Sequence, residues 1–327
     1  MIDLPIISLG SPYGIGYEIF LRSLSTDIYK NAKPFCVGSV SALKSFCKLL
    51  DINCKFNEYQ LNNLNISAID DGKDFSIINI DDRSFDMPIN AIDDKMDGKI
   101  ALDTIKLTAD LVKEGYFNSV VTLPVSKKNI NIYDKNFTGH TEFYQKKWNE
   151  KQVFMTFVSD KINLLLLTTH IPLKDVSRSI TKDLFIGAIN VSLDLIKKLG
   201  INKNICVVGI NPHAGENGLL GSEENLMKEV LNEINNPLLV GPIPADTAFL
   251  ESMRSKFGLY ITPYHDQGLI PFKMLSFDDG VNLSFGMKYI RTSVDHGTGV
   301  DLIGKKTASI NSFLSAYNLA RKLASRH

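Results

Sequence analysis

The sequence predicts an α/β protein in two domains, each built on a largely parallel sheet covered by helices. Three observations predict it. Short β-rich runs alternate with longer helical patterns along most of the 327 residues. Several of those runs are apolar throughout, as strands buried on both faces must be. At about 150 residues per domain the length provides two cores and a cleft between them, the kind of place that takes small molecules.

The elements follow in order. Leu4 to Leu9 reads as a strand, and a glycine-rich turn leads into a helix from Tyr17 to about Leu24. Residues 51–95 are rich in Asn, Asp and Ile with weak periodicity, and read as edge strands and loops of lower functional content. Ala101 to Glu114 sets Ile105, Leu107, Ala109, Leu111 and Val112 around a helix that ends at Gly115, and Ser119 to Leu123 follows as a compact strand. Ile162 to Thr168, Ile205 to Ile210 and Leu259 to Thr262 are apolar strands, with Leu184 to Lys198 and Glu223 to Ile234 helical between them.

Composition excludes several classes. Lys plus Arg and Asp plus Glu are both 36, so the formal charge is zero and no general field draws nucleic acid or an acidic membrane. The N-terminus has no basic region followed by a long apolar stretch, and no apolar run approaches the roughly 18 residues of a membrane span. The expected location is the cytoplasm. Cys36, Cys47, Cys54 and Cys206 form no C-x-x-C pair and read as reduced, mostly buried thiols.

Of six histidines, His170, His213 and His265 each come just after one of the three later apolar runs. Each therefore sits at the carboxyl end of a strand, where open α/β sheets bind ligands, so the three can converge although 43 and 52 residues separate them. Three neutral imidazoles can hold a divalent ion and leave a coordination position open for substrate or water. The plainer alternative is that each ring hydrogen-bonds a loop backbone. Asp266, Asp246 and Glu216 lie near enough in sequence to fix imidazole tautomers.

Gly139-His140-Thr141-Glu142 supplies a turn, a titratable ring, a hydroxyl and a carboxylate, suited to a polar substrate and equally to a helix cap. Lys273, Asn282 and Arg291 recur at intervals of nine, each flanked by apolar residues. A point charge, an amide and a planar fork suit a phosphate and a carboxylate, against the alternative of a solvated basic surface. Gly10-Ser-Pro-Tyr-Gly14-Ile-Gly16 lacks the G-x-G-x-x-G spacing of a dinucleotide fingerprint. Residues 299–306 carry Lys306 where a P-loop needs Ser or Thr, and that reading is rejected.

Taken together, the strings GSPYGIGYE, FTGHTEF, TTHIPL, GINPHAGENGLLGSEE, GPIPADTAF, YHDQGLIPFK, GVN and IRTSVDHGTGVDLIGK, in order from residue 10 to residue 305, resemble the 4-hydroxythreonine-4-phosphate dehydrogenase family of vitamin B6 biosynthesis. The resemblance implies the isocitrate/isopropylmalate dehydrogenase-like fold, two α/β/α domains with a cleft between them. Residues 1–127 plus 281–327 would carry much of the cofactor site, and residues 128–280 the metal ligands and the dimer interface. It implies a divalent metal, zinc first with magnesium and cobalt as alternatives, on His170, His213 and His265. It implies substrate binding by His140, Thr141, Lys273, Asn282 and Arg291, and NAD or NADP along His296, Gly297, Thr298, Asp301 and Gly304. The active unit would be a homodimer whose metal site is shared, with His265 donated by the neighbour.

The departures from the family pattern fall elsewhere. Ser11, Tyr13 and Tyr17 replace an acid, Ala and Pro in the amino-terminal turn; Leu123 stands where Gly-Pro is common and Lys288 where Pro is usual; Gly299, Ile303 and Lys306 alter the cofactor loop. The implied reaction oxidises the C3 alcohol of 4-phosphooxy-L-threonine, with Asp246 or His140 as proton acceptor. The alternatives are a dehydrogenase of a four-carbon sugar-acid phosphate, threonate or erythronate 4-phosphate, and a non-catalytic homologue that binds metal or phosphate.

Overall fold

The computed structural model describes residues 2–30, 32–60, 72–81 and 93–325. Along the chain run β1 (Ile2–Ser8), α1 (Gly16–Ser23), β2 (Phe35–Gly38), α2 (Val40–Leu50), β3 (Phe56–Gln60), β4 (Phe75–Asn79), α3 (Asp94–Lys113) and β5 (Phe117–Thr122). Next come α4 (Lys127–Ile130), α5 (His140–Trp148), β6 (Phe154–Val158), β7 (Leu164–Leu166), α6 (Val176–Ser179), α7 (Lys182–Leu199), β8 (Asn204–Val208) and α8 (Glu224–Ile234). The chain ends with β9 (Leu239–Ile243), α9 (Ala245–Ala248), α10 (Glu251–Arg254), β10 (Phe257–Thr262), α11 (His265–Ser276), β11 (Val281–Phe285), β12 (Ile290–Val294) and α12 (Asn311–Ala324). Among the described residues no helix is long and apolar enough to cross a membrane.

The chain divides into two compact units, Met1–Lys151 with Met287–His327, and Gln152–Gly286. The first unit carries strands in the order β3-β4-β2-β1-β5-β12, every pairing parallel. Burial explains the composition of these strands. β4 is buried at all five positions and β1 at its last five, so neither alternates polar with apolar. β3, at the sheet's edge, keeps Glu58 and Gln60 exposed. Residues 51–95 thus contain an edge strand, as expected, and also one fully buried strand; 61–71 and 82–92 lie outside the described residues.

The boundary between units differs from the expected 127/128 and 280/281. Residues 128–151 join the first unit because α5 is fastened to α3: Tyr144 Oη and Thr108 Oγ1 are 2.8 Å apart, and Trp148 Nε1–H donates to the Ala109 carbonyl at 3.0 Å. Residues 281–286 stay with the second because β11 pairs with β6, Val281 opposite Val158.

The second unit has the order β11-β6-β7-β10-β8-β9. β7, β10, β8 and β9 run parallel, while β6 is antiparallel to both β7 and β11. Under β7, β8 and β10 lies a core of Leu164, Leu166, Cys206, Val208 and Tyr260 packed on Leu269 and Phe272 of α11. Burying each large apolar side chain there is worth about 1.5–3 kcal/mol. That core fixes three strand ends side by side. Helix limits follow capping chemistry. α7 starts where Thr181 Oγ1 accepts from Leu184 N–H at 3.2 Å, and it ends in left-handed Gly200. α3 begins seven residues before the expected Ala101, because Asp93 caps it through Met96 N–H at 2.7 Å.

Candidate functional site

In the second unit the strand neighbours β7, β10 and β8 run in one direction, so their carboxyl ends share one edge. His170 lies beyond β7, His265 opens α11 directly after β10, and His213 lies in the turn after β8. The His170 and His265 rings are 5.6 Å apart between centroids. His265 Nδ1 lies 2.7 Å from Asp266 Oδ1, a contact that suits a proton on Nδ1 and an acceptor lone pair on Nε2. His213 has a different support. Its turn runs left-handed from His213 to Asn217, and Glu224, 2% exposed, ties it down by accepting from Asn211 N–H at 2.6 Å and Asn211 Nδ2 at 3.0 Å. Its Nδ1 is 4.0 Å from Glu216 Oε2. Among the described residues no group of three His, Cys, Asp or Glu is gathered for a metal; the donors one chain brings together are the His170–His265 pair.

Gln267, two residues after His265, donates from Nε2 to the Gly209 carbonyl at 2.8 Å and buries its Oε1 with no hydrogen-bond partner among the described residues. Lys273, further along α11, holds its ammonium 5.7 Å from the Phe277 ring centroid. Asn282, on β11, also buries an unpartnered Oδ1. An orphaned buried acceptor costs about 1–3 kcal/mol, so such atoms mark places where a ligand donor would be welcome. Asp246 sits exposed in the short helix α9.

The first unit carries the other substrate candidates. Arg291 on β12 is 3% exposed, and its fork grips one hydroxyl: Nη2 and Nε donate to Thr122 Oγ1 at 2.7 and 3.1 Å. Nη1 reaches Thr141 Oγ1 at 3.5 Å. Burial lowers the Arg291 pKa to about 10, with Tyr144 and Glu142 opposing, so the guanidinium keeps its charge at neutral pH. His140, the first residue of α5, packs between Phe137 and Tyr144 with Nε2 buried and, among the described residues, unpartnered. Burial, then the charges of Arg291 and Lys127, hold its pKa well below the ordinary histidine value. At neutral pH it is an uncharged ring beside a buried cation.

The loop after β12 is fastened to the amino-terminal turn. Ile15 N–H donates to the Thr298 carbonyl at 2.9 Å, and Gly304 N–H donates to Glu18 Oε2 at 2.7 Å. Gly304 has φ +77°, so the conformation demands glycine, and Leu49 Cδ2 lies 2.9 Å from where a Cβ would be. His296 Nδ1 lies 3.0 Å from the Gly297 carbonyl, Gly297 has open space where a side chain would be, and Asp301 is exposed in the single turn Val300–Leu302.

Sequence reasoning missed two buried carboxylates that shape this region. Asp97 Oδ2 accepts from Ser11 Oγ at 3.0 Å and Asn129 Nδ2 at 2.8 Å, while Oδ1 accepts from Tyr13 N–H at 2.8 Å. The amino-terminal turn thus receives a carboxylate from α3. Glu18, 0% exposed, closes on Gly304. A mid-helix Asp carries no local signal of such a role; the signal for Glu18 was an acid one turn into a helix that otherwise buries every neighbour.

Comparison with known proteins decides the family. Residues 30–320 match the family described as pyridoxal phosphate biosynthetic protein PdxA. The chain belongs to the PdxA family. Relatives of this PdxA chain include a 4-hydroxythreonine-4-phosphate dehydrogenase from Pseudoalteromonas translucida, 36% identical over 97% of this chain and 96% of the relative. Another, from Oceanobacillus iheyensis, is named for D-threonate 4-phosphate dehydrogenation and is 32% identical over 97% of both chains. A solved 4-hydroxythreonine-4-phosphate dehydrogenase from Burkholderia phymatum superposes with a TM-score of 0.79 at 30% identity, covering 98% of each chain. The PdxA assignment carries with it the isocitrate/isopropylmalate dehydrogenase-like fold and an oxidoreductase activity.

Proposed function

We propose that the protein is a nicotinamide-dependent dehydrogenase of 4-phosphooxy-L-threonine, acting at C3 as a cytoplasmic homodimer. The buried Arg291 beside neutral His140 is the observation that carries this reading, because a guanidinium kept charged at 3% exposure is suited to docking an anion. Arg291 and Lys273 would hold the phosphate and carboxylate, and Thr141 and Asn282 their oxygens. His140, whose buried Nε2 has no partner among the described residues, or Asp246 would accept the hydroxyl proton.

The donor set suits a divalent ion, zinc first, with magnesium and cobalt as alternatives: an imidazole pair, one tautomer favoured by Asp266, with His213 as third ligand. The loop of His296, Gly297, Thr298, Asp301 and Gly304 suits NAD or NADP, since its open backbone at Gly297 would admit a cofactor closely. Bound there, the ion supplies a Lewis acid for the C3 oxygen and the nicotinamide supplies the hydride acceptor. The product, 2-amino-3-oxo-4-phosphooxybutanoate, is a β-keto acid, and its decarboxylation gives 3-amino-2-oxopropyl phosphate.

The Oceanobacillus relative favours a second reading, in which threonate or erythronate 4-phosphate, with hydroxyl in place of the amine, is the substrate. Side-by-side NADH formation on the amino-acid and sugar-acid phosphates separates the two. Faster turnover per KM on the sugar acid would transfer the assignment to it. NADH and phosphate ligand both binding without turnover on either would leave a non-catalytic homologue.

A further inference from the structure

Cys47 and Cys54 meet at the end of α2, with their Sγ atoms 3.3 Å apart. Both are partly buried, whereas Cys36 and Cys206 are fully enclosed. The chain between them turns back on itself: Asp51 takes a left-handed φ of 54°, and Ile52 N–H returns to the Cys47 carbonyl at 3.0 Å. Backbone bonds therefore hold the thiols together. A disulfide needs a sulfur separation of about 2.0 Å, so closure would draw the sulfurs roughly 1.3 Å nearer and move the end of α2 with them.

We propose that Cys47 and Cys54 are a thiol pair that hydrogen peroxide converts, reversibly, into an intramolecular disulfide. One thiolate attacks the peroxide oxygen, breaking the O–O bond to give a sulfenic acid and hydroxide. The second sulfur then displaces the sulfenic oxygen, which leaves as water. Two thiols lose two electrons and two protons, and the peroxide becomes two waters. Cys54 is the attacking sulfur. The sulfur contact lowers the Cys54 pKa, against partial burial and the charge of Asp74, and pushes Cys47 up.

The pair also has a route to the loop after β12. Leu49, two residues beyond Cys47, is the side chain packed on Gly304, so closing the sulfur contact shifts the support of that loop. Its bearing on a nicotinamide rests on the function proposed above. The shift of the loop itself does not.

The reduced full-length chain, treated with hydrogen peroxide and then alkylated under denaturing conditions, tests the pair. The expected product is lighter by about 2 Da before labelling, takes label only at Cys36 and Cys206, yields a Cys47–Cys54 peptide and is restored by dithiothreitol. Cys47→Ser and Cys54→Ser should each abolish the linked peptide. Label retained on both thiols, a bond to Cys36 or Cys206, or a bond between chains would overturn the assignment. Deuterium uptake in residues 302–306 should change by about twofold on oxidation. Unchanged uptake there would overturn the route through Leu49. If neither redox form bound NADH, the proposed function would fail while the disulfide stood.

Discussion

Glu18 Oε2 accepts the Gly304 N–H at 2.7 Å, joining the first helix to a loop 286 residues later in the chain. The carboxylate is fully buried and has Arg22 3.6 Å away on the next turn. Arg22 in turn donates to the Ala308 carbonyl at 2.5 Å, so one helix face holds the loop at two points. A hydrogen bond to a buried charged group is worth about 1.5–3 kcal/mol, so Glu18→Ala should lower unfolding stability by about that much. NADH affinity should fall with it, and Glu18→Gln, which keeps an acceptor, should recover most of both. Guanidinium denaturation and NADH titration check this. Equal NADH affinity in all three proteins would remove Glu18 from the support of the loop.

Arg291 poses the opposite balance. Its fall on burial, to about 10, corresponds to about 3 kcal/mol of folding stability forgone below pH 10. Arg291→Met, similar in volume and uncharged, should therefore fold at least as stably as the native chain. On the proposed function, inorganic phosphate should raise the melting temperature of the native protein but not of this variant, which should bind substrate about 2–5 kcal/mol more weakly with NADH affinity little changed. Thermal unfolding with and without inorganic phosphate measures the first, and paired substrate and NADH titrations the second. A variant that melts lower yet keeps the phosphate shift would show that Arg291 is a structural cation.

How far the sequence disclosed these sites depends on the range of the interactions. β7, β8 and β10 were legible because strands buried on both faces must be apolar throughout, and the histidines beyond them followed from strand polarity. β4 was obscured because its buried run, Phe75–Asn79, lies in Asn- and Asp-rich surroundings. The antiparallel β6 and β11 pair across more than a hundred residues, which no local period records. Asp97 escaped for the same reason. Its partners Ser11 and Tyr13 are 86 and 84 residues distant, and only the folded chain shows that α3 supplies the turn's carboxylate.

The buried His140 imposes a pH dependence of known sign. Its folded pKa is depressed by burial and by Arg291 and Lys127, so below the unfolded value of about 6.5 the unfolded chain binds a proton that the folded chain refuses. Stability should rise with pH up to about 6.5 and be lost below it, by at most about 1.4 kcal/mol per pH unit from this residue. Urea unfolding between about pH 5 and pH 8 measures the slope, and His140→Gln should reduce it by one proton's worth. A native slope that survives the substitution would assign it to another group.

The paired rings of His170 and His265 bear on how a metal site would be completed. If three imidazoles hold one ion and two chains share each site, His213 and His265 serve a given ion from different chains. His213→Ala and His265→Ala should each be inactive alone. Mixed and allowed to exchange subunits, they form dimers in which one site carries both defects and the other carries neither, so activity should return toward a quarter of the native value when exchange is random. Metal content should recover in the same proportion. If all three ligands came from a single chain, every site in the mixture would keep one defect. No recovery after subunit exchange verified by mass would therefore place the complete set within one chain.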